Sequence, residues 1–472
     1  LINNANEPIS NFDISQNFRN QSDSLGGDKL YRNTGNGFVD VTESLGIFSS
    51  ITGFALSATA SDMNRDGYSD LFVANDFFER DYLYKNLGDG TLDERLTDSV
   101  IRSMSAASMG SDIADVNNDG WPDIYVLDML PDDDSRTKTV TTFEGFERYQ
   151  NKQNWGYGHQ MTRNVLNLNM GDFTFREISR LTDVHATDWS WAALISDFDN
   201  NGQNDIYVTN GLVHDITDLD YLEDIRSPDR MRSAVSGEAD DFQAFIDIIP
   251  SNPIPNFMFS NGGDLAFADS TAAWGLDAPG FSSGAAWADL DDDGDLDLVV
   301  SQVNGPARIY RNRTAEMRPG HHWLQVDLVG EAPNTYGIGA QLQVWAGGEG
   351  YWYREHFLQR GFQSSVQPGL HVGLGETAMV DSLVLRWPDG RTSRLSNLEV
   401  PARVTLRQSE ATGQPAPPPP PSATMPGDFT AEDLTAWSGC ETCQRPEPAP
   451  ETNRTDADRT PKGAGTLSGQ PT

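Results

Sequence analysis

The chain has 472 residues, with 33 basic against 70 acidic side chains and a formal net charge of −37. A field of that sign attracts cations and repels nucleic acid and anionic membranes, which excludes a nucleic-acid partner. Hydrophobic residues at 37%, with 43 Gly and 26 Pro, favour many short strands joined by turns, and no run approaches the ~18 apolar residues of a membrane-crossing helix, so no membrane-spanning segment is expected.

Residues 1–27 read as an N-terminal segment belonging to a truncated blade, because the chain opens at Leu1 without a signal-like stretch. LYRN (Leu30–Asn33) and the Gly-rich NTGNGFVDVT then introduce a pattern that repeats. DMNRDGYSD (Asp62–Asp70) is followed by DVNNDGWPD (Asp115–Asp123), DFDNNGQND (Asp197–Asp205) and DLDDDGDLD (Asp289–Asp297). All four read D-x-[DN]-x-[DN]-G-x-x-D, with first positions 53, 82 and 92 residues apart. Small-residue and apolar runs precede each copy (ALSATAS, MGSDIA, WAALIS, SGAAWA) and strand-like runs follow (LFVAND, IYVLDM, IYVTNG, LVVSQV). An apolar pair ending in Asn recurs after these, as LYKN, MFSN and IYRN. Each unit is thus about four short strands with a charged hairpin between two of them. Such a unit cannot bury its own faces, so the units must stack, which is the pattern of a β-propeller.

Calcium takes six to eight oxygen ligands, and a loop offering side-chain oxygens at positions 1, 3, 5 and 9 with the carbonyl of position 7 can wrap one ion. The first loop offers Asp62, Asn64, Asp66, Asp70 and the Tyr68 carbonyl; the second offers Asp115, Asn117, Asp119, Asp123 and the Trp121 carbonyl. The third offers Asp197, Asp199, Asn201, Asp205 and the Gln203 carbonyl, the fourth Asp289, Asp291, Asp293, Asp297 and the Asp295 carbonyl. About four Ca²⁺ sites are expected, tightest in the fourth loop, where all four side chains are carboxylates. The side chains of Asp292 and Asp295 are expected to face solvent. A plain Asx-rich turn could account for one copy but not for four in register. An EF-hand needs a bidentate Glu at position 12, where this chain has Val73, Val126, Val208 and Val300, so a strand rather than a helix leaves each loop. A dockerin-like loop fails for the same reason, and magnesium prefers rigid, water-rich octahedral sites.

These units resemble the FG-GAP (VCBS-type) repeats of integrin α-subunit propellers and of many bacterial secreted proteins. The resemblance implies calcium hairpins between two strands of each blade over residues 28–315. Integrin-type propellers have seven blades, against four loop-bearing units here, so a propeller incomplete at its N-terminus is expected. The longer spacings imply insertions near 132–163 and 213–256. The first holds FEGFERYQNKQNWGYGHQ (Phe143–Gln160), whose Trp155, Tyr157 and His159 form a candidate recognition surface. The second has apolar residues at helical spacing in DLDYLEDIRSPDRMRSAV and DDFQAFIDII.

Over residues 320–409 the runs WLQVDLVG, GAQLQVWAG, YREHFLQ, DSLVLRW and RVTLRQ alternate as strands, which predicts a small antiparallel β-sandwich. NTYGIGAQLQVW, RGFQSSVQPGLHVGLG and VDSLVLRWPDGR resemble the ASPIC/UnbV domain, with HVGLG standing where that family has HFGLG. Repeats followed by this domain are the order found in acidic secreted proteins related to cartilage acidic protein. Residues 410–472 form a Pro-rich tail too polar to bury a core, and both cysteines, Cys440 and Cys443, lie in it without an expected structural role.

No HExxH, GxSxG or phosphate-binding loop occurs, and ATDWSWAAL (Ala186–Leu194) reads as packing rather than a sugar platform. The chain is therefore expected not to be an enzyme. It is expected to be an extracellular, cell-surface or periplasmic calcium-binding module for adhesion, taking a protein or glycan ligand on a propeller face. The alternative is a calcium-dependent polysaccharide lyase or hydrolase.

Overall fold

A computed structural model describes residues 2–4, 17–22, 26–96, 100–141, 144–226, 246–413 and 416–418. The fold is all-β, and each of the four repeats forms one antiparallel sheet whose strands pair in chain order. The first blade comprises Ala55–Ser61, Asp70–Asn75, Tyr82–Asn86 and Leu92–Glu94. The second comprises Ser111–Ala114, Asp123–Val126, Val165–Asn169 and Phe175–Glu177. The third comprises Ser190–Ser196, Asp205–Asn210, Phe257–Asn261 and Phe267–Asp269. The fourth has three strands, Ser282–Ala288, Asp297–Gln302 and Arg308–Tyr310, after which the chain turns into the short helix Thr314–Met317. A two-stranded hairpin, Tyr31–Asn33 with Phe38–Asp40, precedes the first blade.

The loops close the first two strands of every blade at the same register: Ser61 pairs with Asp70, Ala114 with Asp123, Ser196 with Asp205 and Ala288 with Asp297. Val73, Val126, Val208 and Val300 are buried in the second strands, where an EF-hand glutamate could not reach an ion. First strands of successive blades lie side by side. Their small residues permit this: Ser57 and Thr59 meet Ser111 through their hydroxyls, and a methyl group on Gly110 would fall 1.9 Å from the Trp191 carbonyl.

The C-terminal domain is a pair of sheets around Leu324, Val326, Leu342, Val344, Val372, Leu383 and Trp387. One holds Leu370–Gly375, His322–Val329 and Ala402–Arg407; the other Gly350–Glu355, Gln341–Ala346, Met379–Arg386 and Thr392–Glu399. The pairing of His322–Val329 with Ala402–Arg407 is parallel, which corrects the expectation of a wholly antiparallel sandwich. Alternation of apolar residues marks both strands but does not encode which neighbour each takes. A hairpin of this domain, Gln359–Arg360 with Ser364–Ser365, lies across the first strands of the blades. Gly361 bridges to Ser111, Phe362 packs 5.0 Å from Trp191, and Arg360 pairs with fully buried Asp112 at 2.8 Å.

The first insertion carries the helices Asp134–Val140 and Phe146–Asn154. Its Tyr157 is buried edge-on against Phe78, 4.7 Å between ring centres, so this part of the expected recognition surface is core instead. Composition marks a segment as aromatic without saying which way its rings face. The second insertion carries Leu219–Ile225; its continuation through residues 227–245, and likewise Phe143, Cys440, Cys443 and the tail from 419, lie outside the described residues.

Asp112 also accepts from the Ile195 amide at 2.7 Å, so one carboxylate ties the second blade to the third and to the C-terminal domain. Arg360→Leu should cost about 3 kcal/mol of unfolding free energy by stranding that charge. Urea denaturation reads this, and adding Asp112→Asn should recover part of the loss.

Candidate metal centres

The four loops share one backbone. Position 4 has positive φ in each (Arg65 54°, Asn118 56°, Asn200 55°, Asp292 59°), and so has the glycine at position 6 (Gly67 99°, Gly120 87°, Gly202 96°, Gly294 89°). That glycine amide donates to the first aspartate: Gly67 to Asp62 at 2.7 Å, Gly120 to Asp115 at 2.9 Å, Gly202 to Asp197 at 2.8 Å and Gly294 to Asp289 at 3.2 Å. The amide of position 7 donates to position 5: Tyr68 to Asp66, Trp121 to Asp119, Gln203 to Asn201 and Asp295 to Asp293, at 2.7–3.0 Å. The loop thereby curls its oxygens toward one centre.

The ninth residue does more than complete that curl. One oxygen of Asp70, Asp123, Asp205 and Asp297 accepts from the amide of position 2, and the other from the amide of an asparagine that ends the third strand or, in the fourth blade, lies two residues past it. Those asparagines are Asn86, Asn169, Asn261 and Asn312, the recurring Asn of the sequence pattern. Three of them also reach back to the preceding loop: Asn169 to the Met63 carbonyl, Asn261 to Val116 and Asn312 to Phe198, at 2.7–2.8 Å. Position 4 reaches forward. Arg65 donates to the Gly120 carbonyl at 2.8 Å, Asn118 to Gly202 at 2.7 Å and Asn200 to Gly294 at 3.4 Å. The asparagine recurrence was visible in the sequence without its role; position 4, which reads Arg, Asn, Asn, Asp, gave no usable signal.

The fourth loop corrects the expectation for Asp295 and leaves Asp292 exposed, as expected. Asp295 is fully buried, accepting from Asn200 at 2.9 Å and from the Ala315 amide at 2.6 Å, rather than facing solvent. Asp292, exposed at the surface, forms an ion pair with Arg403 at 2.5 Å. An aspartate cannot donate forward to a further loop as Arg65, Asn118 and Asn200 do. The end of the array is bound to the C-terminal domain instead.

The oxygen donors fit a hard divalent cation. Asp62 Oδ1 is buried without a hydrogen-bond partner, while Oδ2 accepts from Gly67 and, at 2.7 Å, from Gln341. Asp197, Asp199 and Asp205, all buried, each bring a carboxylate oxygen within 4.8 Å of the others, and Asp289, Asp291 and Asp293 do the same. Asn64 and Asn117 at position 3 leave the first two loops without such a trio, although Asp115, Asp119 and Asp123 are equally buried. Burial pushes the carboxyls of Asp62, Asp70, Asp115 and Asp197 up to about 7, reinforced by Glu355 at Asp62, by Asp119 at Asp115 and by Asp199 at Asp197. Burial likewise holds Asp123 and Asp205 far above the carboxylate range. Neighbouring carboxylates that resist ionisation for want of positive charge are what a cation would satisfy. The ninth residues keep a lone pair on each oxygen for it. Arginines stand beside three loops: Arg311 2.8 Å from Asp291, Arg318 on Asp199, and Arg386 3.9 Å from Asp62.

The C-terminal domain touches three of the loops directly. Glu355 accepts from the Asp62 amide at 3.0 Å, Trp352 donates to the Gly202 carbonyl at 2.8 Å, and Gln367 accepts from the Asp289 amide at 2.7 Å. His371 meets Asn200 at 2.7 Å, and burial holds its imidazole neutral, down to about 3.

Comparison with known proteins matches residues 62–126 to the FG-GAP-like repeat and residues 330–413 to the ASPIC and UnbV family. Cartilage acidic protein 1 of Xenopus tropicalis is 26% identical over 255 residues, 48% of this chain and 38% of the relative. The Homo sapiens protein of the same name is 46% identical over 57 residues, 12% of this chain and 9% of the relative. The chain thus matches well under half the length of these curated relatives. A solved structure of an Agrocybe aegerita lectin, described as recognising non-reducing terminal N-acetylglucosamine, aligns over 61% of this chain and 60% of that one. It does so at 14% identity with a TM-score of 0.28.

Two measurements follow from this geometry. Aspartates near 7 in the native state, against about 4 when unfolded, bind protons first in the native state. Stability therefore falls as pH rises from about 4 to about 7, outweighing the opposite slope from His185, His356 and His371, whose imidazoles burial holds below the ordinary value. In chelator the melting temperature should climb on acidification through that window; in excess calcium it should fall, because protons then displace the ion. Separately, Arg318→Ala should tighten calcium at the third loop severalfold in calorimetry, since it removes a competing cation from Asp199.

Proposed function

We propose that this chain, which joins FG-GAP-like repeats to an ASPIC/UnbV domain and is similar to cartilage acidic protein 1, is an extracellular calcium-binding module that holds a ligand without transforming it. The observation that carries the reading is the buried, partnerless Asp62 Oδ1 within a loop whose design recurs three more times. Asp62, Asp66, Asp70 and Asn64 would hold one ion with the Tyr68 carbonyl; the corresponding residues of the other loops would hold the rest. A bound divalent ion supplies charge compensation there, and the chain's own amides fix the donor oxygens around it.

A non-catalytic role suits this arrangement because the loop carboxylates are engaged by loop amides, which leaves them poor candidates for proton transfer. Millimolar calcium outside cells fills sites of modest affinity, which suits an extracellular setting. Among the described residues no helix is long and apolar enough to cross a membrane. Binding that favours the folded chain alone raises its stability by mass action.

Calcium should raise the melting temperature in a concentration-dependent way and chelator should lower it; indifference to both would sink the metal reading. Incubation with a polysaccharide panel in calcium should yield no new reducing ends or unsaturated products. Chelator-sensitive turnover would make the chain a lyase or hydrolase instead.

A further inference from the structure

The seventh residue of the first loop differs from its three counterparts. Trp121 and Asp295 are buried, and Gln203 accepts from Asn118 of the preceding loop at 3.1 Å. Asp295 is held in the same way by Asn200. Among the described residues no loop precedes the first, and Tyr68 is half exposed. Its ring lies on the backbone at Gly88, where φ is 74° and an added methyl would come 2.6 Å from a ring carbon. One ring face is therefore backed by chain.

Beside it opens a groove of about 310 Å³ between the first loop and the C-terminal domain. Tyr68 and Phe357 supply aromatic surface to its lining, above the core residue Trp387; Ser69, Asn86 and Gln341 supply hydroxyl and amide groups. Arg386 is the one charged side chain of that lining, in a chain of net charge −37. Its guanidinium lies over Gly67 and donates to the Gln341 amide oxygen at 3.3 Å, and its side chain stays 30% exposed.

We propose that this groove binds an acidic pyranose, a sugar ring bearing a carboxylate or sulfate. The apolar face of a pyranose matches a fixed aromatic ring, and its hydroxyl edge matches the Ser69 hydroxyl and the Asn86 amide. Arg386, 3.9 Å from buried Asp62 on its loop side, meets the anionic substituent with its exposed part, and no carboxylate lines the groove itself to repel it. The volume, at the small end of ligand sites, admits one or two sugar units. The inference deepens the ligand-binding reading and rests on it. Tyr68 belongs to the first loop, so calcium that orders the loop also fixes the ring, and affinity falls in chelator.

Calorimetric titration of the full chain in calcium tests this with three probes: glucuronate oligosaccharides, sulfated galactose oligosaccharides and neutral glucose oligosaccharides. At least one acidic probe should bind and the neutral one should bind at least tenfold more weakly. Tyr68→Ala should weaken the acidic probe about tenfold, and Arg386→Met should abolish the preference for acid over neutral. Should Tyr68→Ala fail to fold, Tyr68→Leu, which still covers Gly88, is read in its place. Binding of neither acidic probe overturns the groove, as does acidic binding that both variants leave unchanged. In the second outcome the ligand-binding reading survives at another site. The calcium dependence of the melting temperature tests the metal reading independently of any sugar.

Discussion

A carboxylate held between two backbone amides is the constraint on which each blade depends. Asp70, Asp123, Asp205 and Asp297 each join the start of a loop to the end of the third strand. The loop, the hairpin it closes and the strand beyond that hairpin are thereby fixed by one side chain. Three of the asparagines that donate the second amide also grip the preceding loop, so the geometry of one blade is set partly by its neighbour. Stacking is then more than apolar contact between sheets. It is a continuous polar rail along the end of the blades where the acidic groups gather, their oxygens pinned by backbone amides.

The C-terminal domain is built into that rail. Trp352 bonds to the third loop's glycine carbonyl, Glu355 caps the first loop, and the hairpin around Gly361 lies on the first strands. Asp112 and Arg360 bury an ion pair at the same junction. Blades and sandwich form one compact unit, and the groove proposed for sugars exists only because the two parts meet there.

Much of this was legible in the residues. Four loops of identical internal spacing announced themselves, and the valines at position 12 excluded the bidentate Glu that an EF-hand loop requires. What escaped was every partner set by three-dimensional adjacency. Asp295 reads as an exposed acid until Asn200 of the previous loop is placed against it. Tyr157 sits in a segment whose aromatic content suggests a surface, yet Phe78 claims its ring. The parallel strand pair escaped because alternation records which face is buried and not which strand lies alongside. The asparagines were seen to recur, but a hydrogen bond spanning more than a hundred residues leaves no local trace.

The forward links from position 4 give the array a direction. Donors run from the first loop to the fourth, and there an acceptor, Asp292, turns the line onto Arg403. Gene duplication within the array could insert a unit bearing Asn at this position between existing blades and leave every joint matched. A copy of the fourth unit placed in the interior would set a carboxylate against a glycine carbonyl, acceptor facing acceptor, and break the line. The chain thus ends the forward donor line in a single side chain, Asp292.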